Sequence, residues 1–78
     1  MTRDEATKMA RSIIHLKGKT FNEEENELLQ PPNEILEIII RKIDKDLYVV
    51  EIFYYESRTG IAFYETYNEF LKTHHVKQ

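Results

Sequence analysis

Three glutamates are the residues of this chain whose type and spacing could do chemistry: Glu37, Glu51 and Glu65. Carboxylates that converge on one point can bind a hard cation or act as a general acid and base. The strands predicted below place these three on neighbouring strands of one sheet, where side chains on a face point the same way. We therefore expect neither catalysis nor metal binding at these glutamates.

The positions of the histidines and the lack of cysteines also argue against catalysis and metal binding. His15 falls on the polar flank of a predicted helix, and His74 and His75 are neighbours that point in different directions. A helical zinc site needs histidines four residues apart and a third ligand. The absence of Cys excludes disulfides, thiolate catalysis and the usual structural zinc sites. The sequence thus predicts a protein that is not an enzyme and has no cofactor.

The length of 78 residues predicts a single domain, 1–78. A core of this size is too small to enclose a large active-site cavity. No apolar stretch approaches the roughly 20 residues that span a bilayer. The first 20 residues carry five basic side chains and no apolar segment typical of a signal peptide. We expect a cytoplasmic protein without membrane contact.

The first positioning element is a helix predicted over 3–17. Thr2 and Glu5 match the capping box, in which each side chain bonds the other residue's backbone N–H. Gly18 follows the helix, where a residue with positive φ commonly ends it. The apolar side chains recur at helical spacing and form one stripe: Ala6, Met9, Ala10, Ile13 and Ile14.

Two further helices are predicted. A short acidic helix over 23–29 begins at Asn22 and cannot pass Pro31-Pro32. A C-terminal helix over 67–75 begins after Thr66, with Glu69 completing a capping box. Its inner stripe is predicted to be Tyr67, Phe70, Leu71 and His74.

Three strands are predicted between these helices, over 35–43, 47–55 and 61–65, because the segments are rich in β-branched and aromatic residues. The turns that separate them are short, which imposes antiparallel neighbours. The predicted fold class is α+β: a three-stranded antiparallel β-meander with an N-terminal helix, a short acidic helix and a C-terminal helix, in the order α(α)βββα.

The turn lengths predict the register. A three-residue turn at 44–46 pairs Ile38 with Ile52. A bulged turn at 58–60, with Gly60 in the left-handed region, pairs Tyr54 with Tyr64. Both turns keep even positions opposite even positions, so the even face is predicted to form the core under the first and last helices.

The odd face is the candidate functional surface, because it is mostly apolar where a solvated sheet face is usually polar. We predict that it binds another protein, as an inhibitor, immunity or regulatory module does, or a second copy of this chain. Its acids would favour partners with basic surroundings. The alternative is that the acidic helix and Pro31-Pro32 cover this face. The predicted partner-binding residues are Glu37, Ile39, Val49, Glu51, Phe53, Phe63 and Glu65.

Nucleic acid is a further alternative, since the αβββα order is similar to that of double-stranded RNA-binding domains. The last helix, however, opens on Thr66-Tyr67-Asn68-Glu69 rather than on the basic cluster of that family. The net charge of −3 and the pI of about 5.6 also argue against a phosphate-binding surface. The candidate contacts in this alternative are Arg3, Lys8, Arg11, Lys17 and Lys19.

Overall fold

The computed structural model describes residues 1–21 and 33–74, and it confirms the α+β class. The antiparallel sheet has the order β1-β2-β3-β4, one strand more than the sequence predicts. The predicted acidic helix over 23–29 lies outside the described residues. The elements are α1 (Arg3–Ile13), β1 (Thr20–Phe21), β2 (Asn33–Asp44), β3 (Leu47–Glu56), β4 (Ile61–Thr66) and α2 (Tyr67–Thr73).

Helix α1 begins as predicted, because Thr2 and Glu5 form the full capping box. The Glu5 N–H donates to Thr2 Oγ1 at 3.2 Å, and the Thr2 N–H donates to Glu5 Oε1 at 2.9 Å. The helix ends earlier than predicted and continues as a 3₁₀ turn over Ile14–Leu16. Gly18 follows with φ of +81°, the predicted left-handed conformation. The turn brings Leu16 into the core, where it is buried.

Strands β2 and β3 form the longest pairing in the sheet, and its central register is as predicted. Ile38 lies opposite Ile52. At the start of β2, however, a register shift near Leu36 turns Ile35 toward the core, where it is fully buried. The predicted placement of Ile35 on the face opposite the core is therefore wrong. A bulge adds one residue to one strand only, and strict alternation does not reveal it.

The turn between β2 and β3 is also one residue shorter than predicted. Asp44 lies opposite Leu47, so the turn is Lys45-Asp46, and Asp46 adopts φ of +59°. A second register shift near Ile43 compensates for the shorter turn. As a result, even positions still lie opposite even positions along the middle of the two strands.

The pairing of β3 with β4 differs from the prediction by one residue. Tyr54 lies opposite Phe63 rather than Tyr64, because Glu56 and not Ser57 pairs with Ile61. The backbone N–H of Ser57 donates to Oδ1 of the buried Asn33 on β2 at 2.8 Å. The N–H of Gly60 donates to the Glu56 carbonyl at 2.9 Å, which closes the turn at Glu56 rather than at Ser57.

Both helices pack on one face of the sheet, here called the core face. Its buried centre joins α1, the 3₁₀ turn and β1 to β2, β3 and α2. Phe70 of α2 is fully buried against Tyr54, with ring centroids 5.2 Å apart. The buried apolar residues are Ala6, Ile13, Leu16, Phe21, Ile35, Val50, Ile52, Tyr54 and Phe70.

Helix α2 starts at the predicted position, with the Glu69 N–H donating to Thr66 Oγ1 at 3.3 Å. It ends at Thr73, two residues before the predicted end, and His74 caps it by donating its N–H to the Phe70 carbonyl. Leu71, predicted on the inner stripe, is 41% exposed. Neither described helix is long and apolar enough to cross a membrane.

Truncation of Ile52 tests the assignment of the two sheet faces. Ile52 is fully buried on the core face. We expect Ile52→Ala to lower the free energy of unfolding by about 2–5 kcal/mol, since it leaves a cavity among packed side chains. Urea unfolding followed by circular dichroism measures the change.

The matched control is Val49→Ala, a truncation in the same strand on the opposite, half-buried face. We expect a smaller loss of stability there, because less apolar surface is buried. Equal losses at the two positions would contradict the assignment of Ile52 to the core face.

Candidate functional site

The candidate site is the sheet face opposite α1 and α2, here called the outer face. Its members follow from the register, in which Glu37, Phe53 and Tyr64 form one row and Ile39 and Glu51 begin the next. No described helix packs on it. The outer face comprises Glu37, Ile39, Arg41, Val49, Glu51, Phe53, Tyr55, Ala62, Tyr64 and Thr66.

An aromatic pair lies at the centre of the outer face. The rings of Phe53 and Tyr64 stack with centroids 4.4 Å apart and planes 12° from parallel. The guanidinium of Arg41 lies over the Tyr64 ring, 5.6 Å from its centroid. Tyr64 contacts both Phe53 and Arg41 and is still 53% exposed, so it presents an aromatic surface to solvent.

Of the three glutamates Glu37, Glu51 and Glu65, the first two are ion-paired. Glu37 Oε2 lies 3.0 Å from Lys17 Nζ, and Glu51 bonds the Nε of Arg41. The Lys17 ammonium, together with the Ile38 N–H, holds the pKa of Glu37 below its ordinary value of 4.5. The charges of the outer face are therefore largely balanced, and the predicted acidic rim is not present among these residues.

The third glutamate and one predicted aromatic contact lie on the other side of the sheet. The one-residue change in the β3–β4 register turns Phe63 and Glu65 to the core face. Phe63 packs against the core, its ring 5.8 Å from that of Tyr54. The prediction that Phe63 and Glu65 share a face with Phe53 is thus wrong.

Glu65 instead lies beside the only described histidine that is buried. Its Oε2 is buried without a hydrogen-bond partner and lies 3.9 Å from Nδ1 of His74. The His74 ring stacks on Phe70 at 4.6 Å and is nearly perpendicular to Phe21. His74 is therefore a buried packing residue at the end of α2, on the inner side of the helix as predicted.

The basic residues of the nucleic-acid alternative are all exposed, but they do not form a uniform cationic surface. Lys17 forms an ion pair with Glu37. The acidic residues Asp4 and Glu5 lie in the first turn of α1, the helix that also carries Arg3, Lys8 and Arg11. Within residues 1–21 and 33–74, no cluster of three or more potential ligands could hold a metal ion. The exposed basic residues are Arg3, Lys8, Arg11, Lys17 and Lys19.

A groove beside β2 was not predicted from the sequence. It lies on the core face between α1 and β2 and has a volume of about 370 Å³. Ile14 and Ile40 line it and are 51% and 40% exposed. The signal in the sequence was Ile14, the last member of the predicted apolar stripe, which lies in the 3₁₀ turn and is exposed.

Comparison with models of protein families finds no match, and comparisons with curated proteins and with solved structures find no significant match either.

Replacement of Lys17 tests the balance of charge on the outer face. We expect Lys17→Met to raise the pKa of Glu37 toward 4.5, because the largest cause of its lowering is removed. The pKa of Glu37 is lower in the folded protein than its ordinary value of 4.5. The Lys17–Glu37 pair therefore stabilises the fold above pH 4.5, and this contribution is lost as the pH falls through the pKa that Glu37 has in the folded protein. Carboxyl chemical shifts followed by NMR against pH measure the change.

Lys19→Met is the control, since Lys19 is an exposed lysine of the same segment. It should leave the pKa of Glu37 near its native value. An unchanged Glu37 pKa in Lys17→Met would show that the ion pair does not form in solution.

Proposed function

We propose that this protein is a small binding module that recognises another protein through its outer face and has no chemistry of its own. The observation that carries the proposal is the composition of that face: Ile39, Val49, Phe53 and Tyr64 lie together on three strands, while both described helices pack on the opposite side. Contiguous apolar surface of this kind is typical of sites of protein association.

The aromatic pair is the proposed anchor. Aromatic side chains dominate the energetics of protein interfaces because they bury a large area with few rotatable bonds. Phe53 and Tyr64 are already stacked, so binding does not have to order them. Binding would therefore cost little conformational entropy of these two side chains, and this supports their role at the centre of the interface.

The ion pairs of the outer face change the kind of partner that we expect from the sequence. The expected preference for basic surroundings depended on three unpaired acids. Glu37 and Glu51 are neutralised by Lys17 and Arg41, and Glu65 faces the core. We therefore propose a partner with an apolar, aromatic-accepting surface and a rim of mixed charge, rather than a strongly cationic one.

Serine substitutions in the aromatic pair test the proposal. We expect Phe53→Ser and Tyr64→Ser each to lower capture of the same native partner at least tenfold, as loss of a buried aromatic anchor commonly costs about 2 kcal/mol or more. The immobilised chain is exposed to a lysate of the native cell, and captured proteins are quantified by mass spectrometry.

The matched control is Ile61→Ser, because Ile61 is 54% exposed on the same strand as Tyr64 and lies off the outer face. It should retain the partner, and all variants are checked for native circular dichroism. Titration with the captured partner should then perturb the NMR signals of Ile39 and Val49. If folded Phe53→Ser and Tyr64→Ser both retain every protein that the parent captures, the outer face is not the binding surface.

A further inference from the structure

The side of β2 away from β3 is an open sheet edge, here called the β2 edge. Strand β1 pairs only with Asn33 and Glu34, and the backbone of Ile35 bonds Gly18 and Lys19. Beyond that point no strand in the described part of the chain pairs with this side of β2. An open edge can accept a further strand from another chain.

The direction of the backbone groups shows which residues present the β2 edge. Tyr48, opposite Lys42, exchanges backbone hydrogen bonds with Met1 on the other side of β3, at 2.7 and 3.2 Å. Lys42 therefore directs its N–H and C=O away from β3, and alternation extends this to Ile40 and Ile38. These three residues direct their backbone groups toward the position that an added strand would take.

The groove between α1 and β2 lies beside this edge, on the core face. Ile38 and Ile40 line it from β2, and Ala10 and Ile14 line it from the other side. Residues directly opposite each other on paired strands point to the same face of a sheet. Every second side chain of a strand added at the β2 edge would therefore lie beside Ile38 and Ile40, so the groove of about 370 Å³ suits apolar side chains at alternate positions.

An unpaired positive charge lies toward one end of this groove. Helix α1 runs opposite to β2, because Met1 bonds Tyr48 beside the end of β2 while Gly18 bonds Ile35 near its start. Arg11 is close to the end of α1 and lines the groove, so it lies toward the start of β2. Its side chain is exposed and forms no ion pair with any other described residue.

We propose that the β2 edge and the groove bind the carboxyl-terminal segment of another protein as an added antiparallel strand. Such a strand runs in the same direction as β1, which is itself antiparallel to β2, and lies in line with it. Its carboxyl end therefore points toward Lys17 and Gly18, where the segment before β1 closes the edge. A chain that terminates there avoids this segment, and its terminal carboxylate lies toward the guanidinium of Arg11.

Charge complementarity selects this occupant over others. A parallel strand would bring its amino-terminal end toward Arg11, and an amino-terminal ammonium would be repelled there. Lys17 is already paired with Glu37, so Arg11 supplies the charge that a ligand can neutralise. An internal strand, including one from a second copy of this chain, would continue into the segment before β1. The site therefore suits a free carboxyl terminus with apolar side chains at the last and third-from-last positions.

A library of short synthetic peptides tests the proposal on the full chain. Its members have a free carboxyl terminus and valine, leucine or phenylalanine at the last and third-from-last positions, with all residues elsewhere. We expect the immobilised chain to retain members of this library, as measured by mass spectrometry. It should retain at least tenfold less of a matched library with amidated termini, because a charge-assisted hydrogen bond is lost. Failure to retain any member, or equal retention of the amidated library, would overturn the proposal.

Substitutions in the groove locate the bound peptide. Fluorescence anisotropy measures the affinity of the most strongly retained peptide for each folded variant. We expect Arg11→Met to weaken binding about tenfold and Ile14→Ser to weaken it as well, since each removes a groove contact. The matched controls are Lys8→Met, on the same helix but outside the groove lining, and Ile61→Ser, which is 54% exposed in the native chain. Phe53→Ser should bind as the native chain does, which separates this site from the outer face. Equal weakening by Arg11→Met and Lys8→Met would reject the specific role of Arg11.

Amide hydrogen exchange measured by NMR tests strand addition without a substitution. We expect the peptide to slow exchange at Ile40 and Lys42, whose N–H groups point out of the edge. Exchange at Ile39 and Arg41, whose N–H groups face β3, should stay largely unchanged. Peptide binding without this alternating protection would overturn the proposal. Protection of Ile40 and Lys42 in the free chain would also overturn it, because the edge would then be covered by this chain or by a second copy.

Discussion

The antiparallel pairing of β2 with β3 is the interaction on which the rest of the structure depends. Alternation along these two strands places Val50, Ile52 and Tyr54 on one side, where α1 and α2 bury them. The same alternation sends Ile39, Val49 and Phe53 to the other side. Both described helices pack on the core face and leave the apolar side chains of the outer face without a described helix over them. The composition of the outer face is therefore the observation from which we infer the function.

Local electrostatics then determine what sort of surface the outer face is. Glu37 and Glu51 are acids in the sequence, but each has a cation beside it in space. Lys17 comes from the segment after α1, and Arg41 comes from β2. What remains exposed between them is an aromatic pair and two aliphatic side chains, a surface suited to contact rather than to steering by charge.

The sequence by itself determined where α1 and α2 begin, through the capping residues Thr2 and Thr66, and it determined the left-handed Gly18 and Gly60 and the three strands rich in β-branched residues, but not β1. These depend on neighbours a few positions away, so they could be predicted. Only the tertiary structure decided the register of β4 and the bulge at Leu36. The Ser57 N–H donates to the Asn33 side chain, a contact between residues 24 positions apart that local sequence does not reveal. A shift of one residue in the pairing of β4 reverses the face of every side chain on that strand. Phe63 and Glu65 therefore lie on the core face, and Tyr64 lies on the outer face.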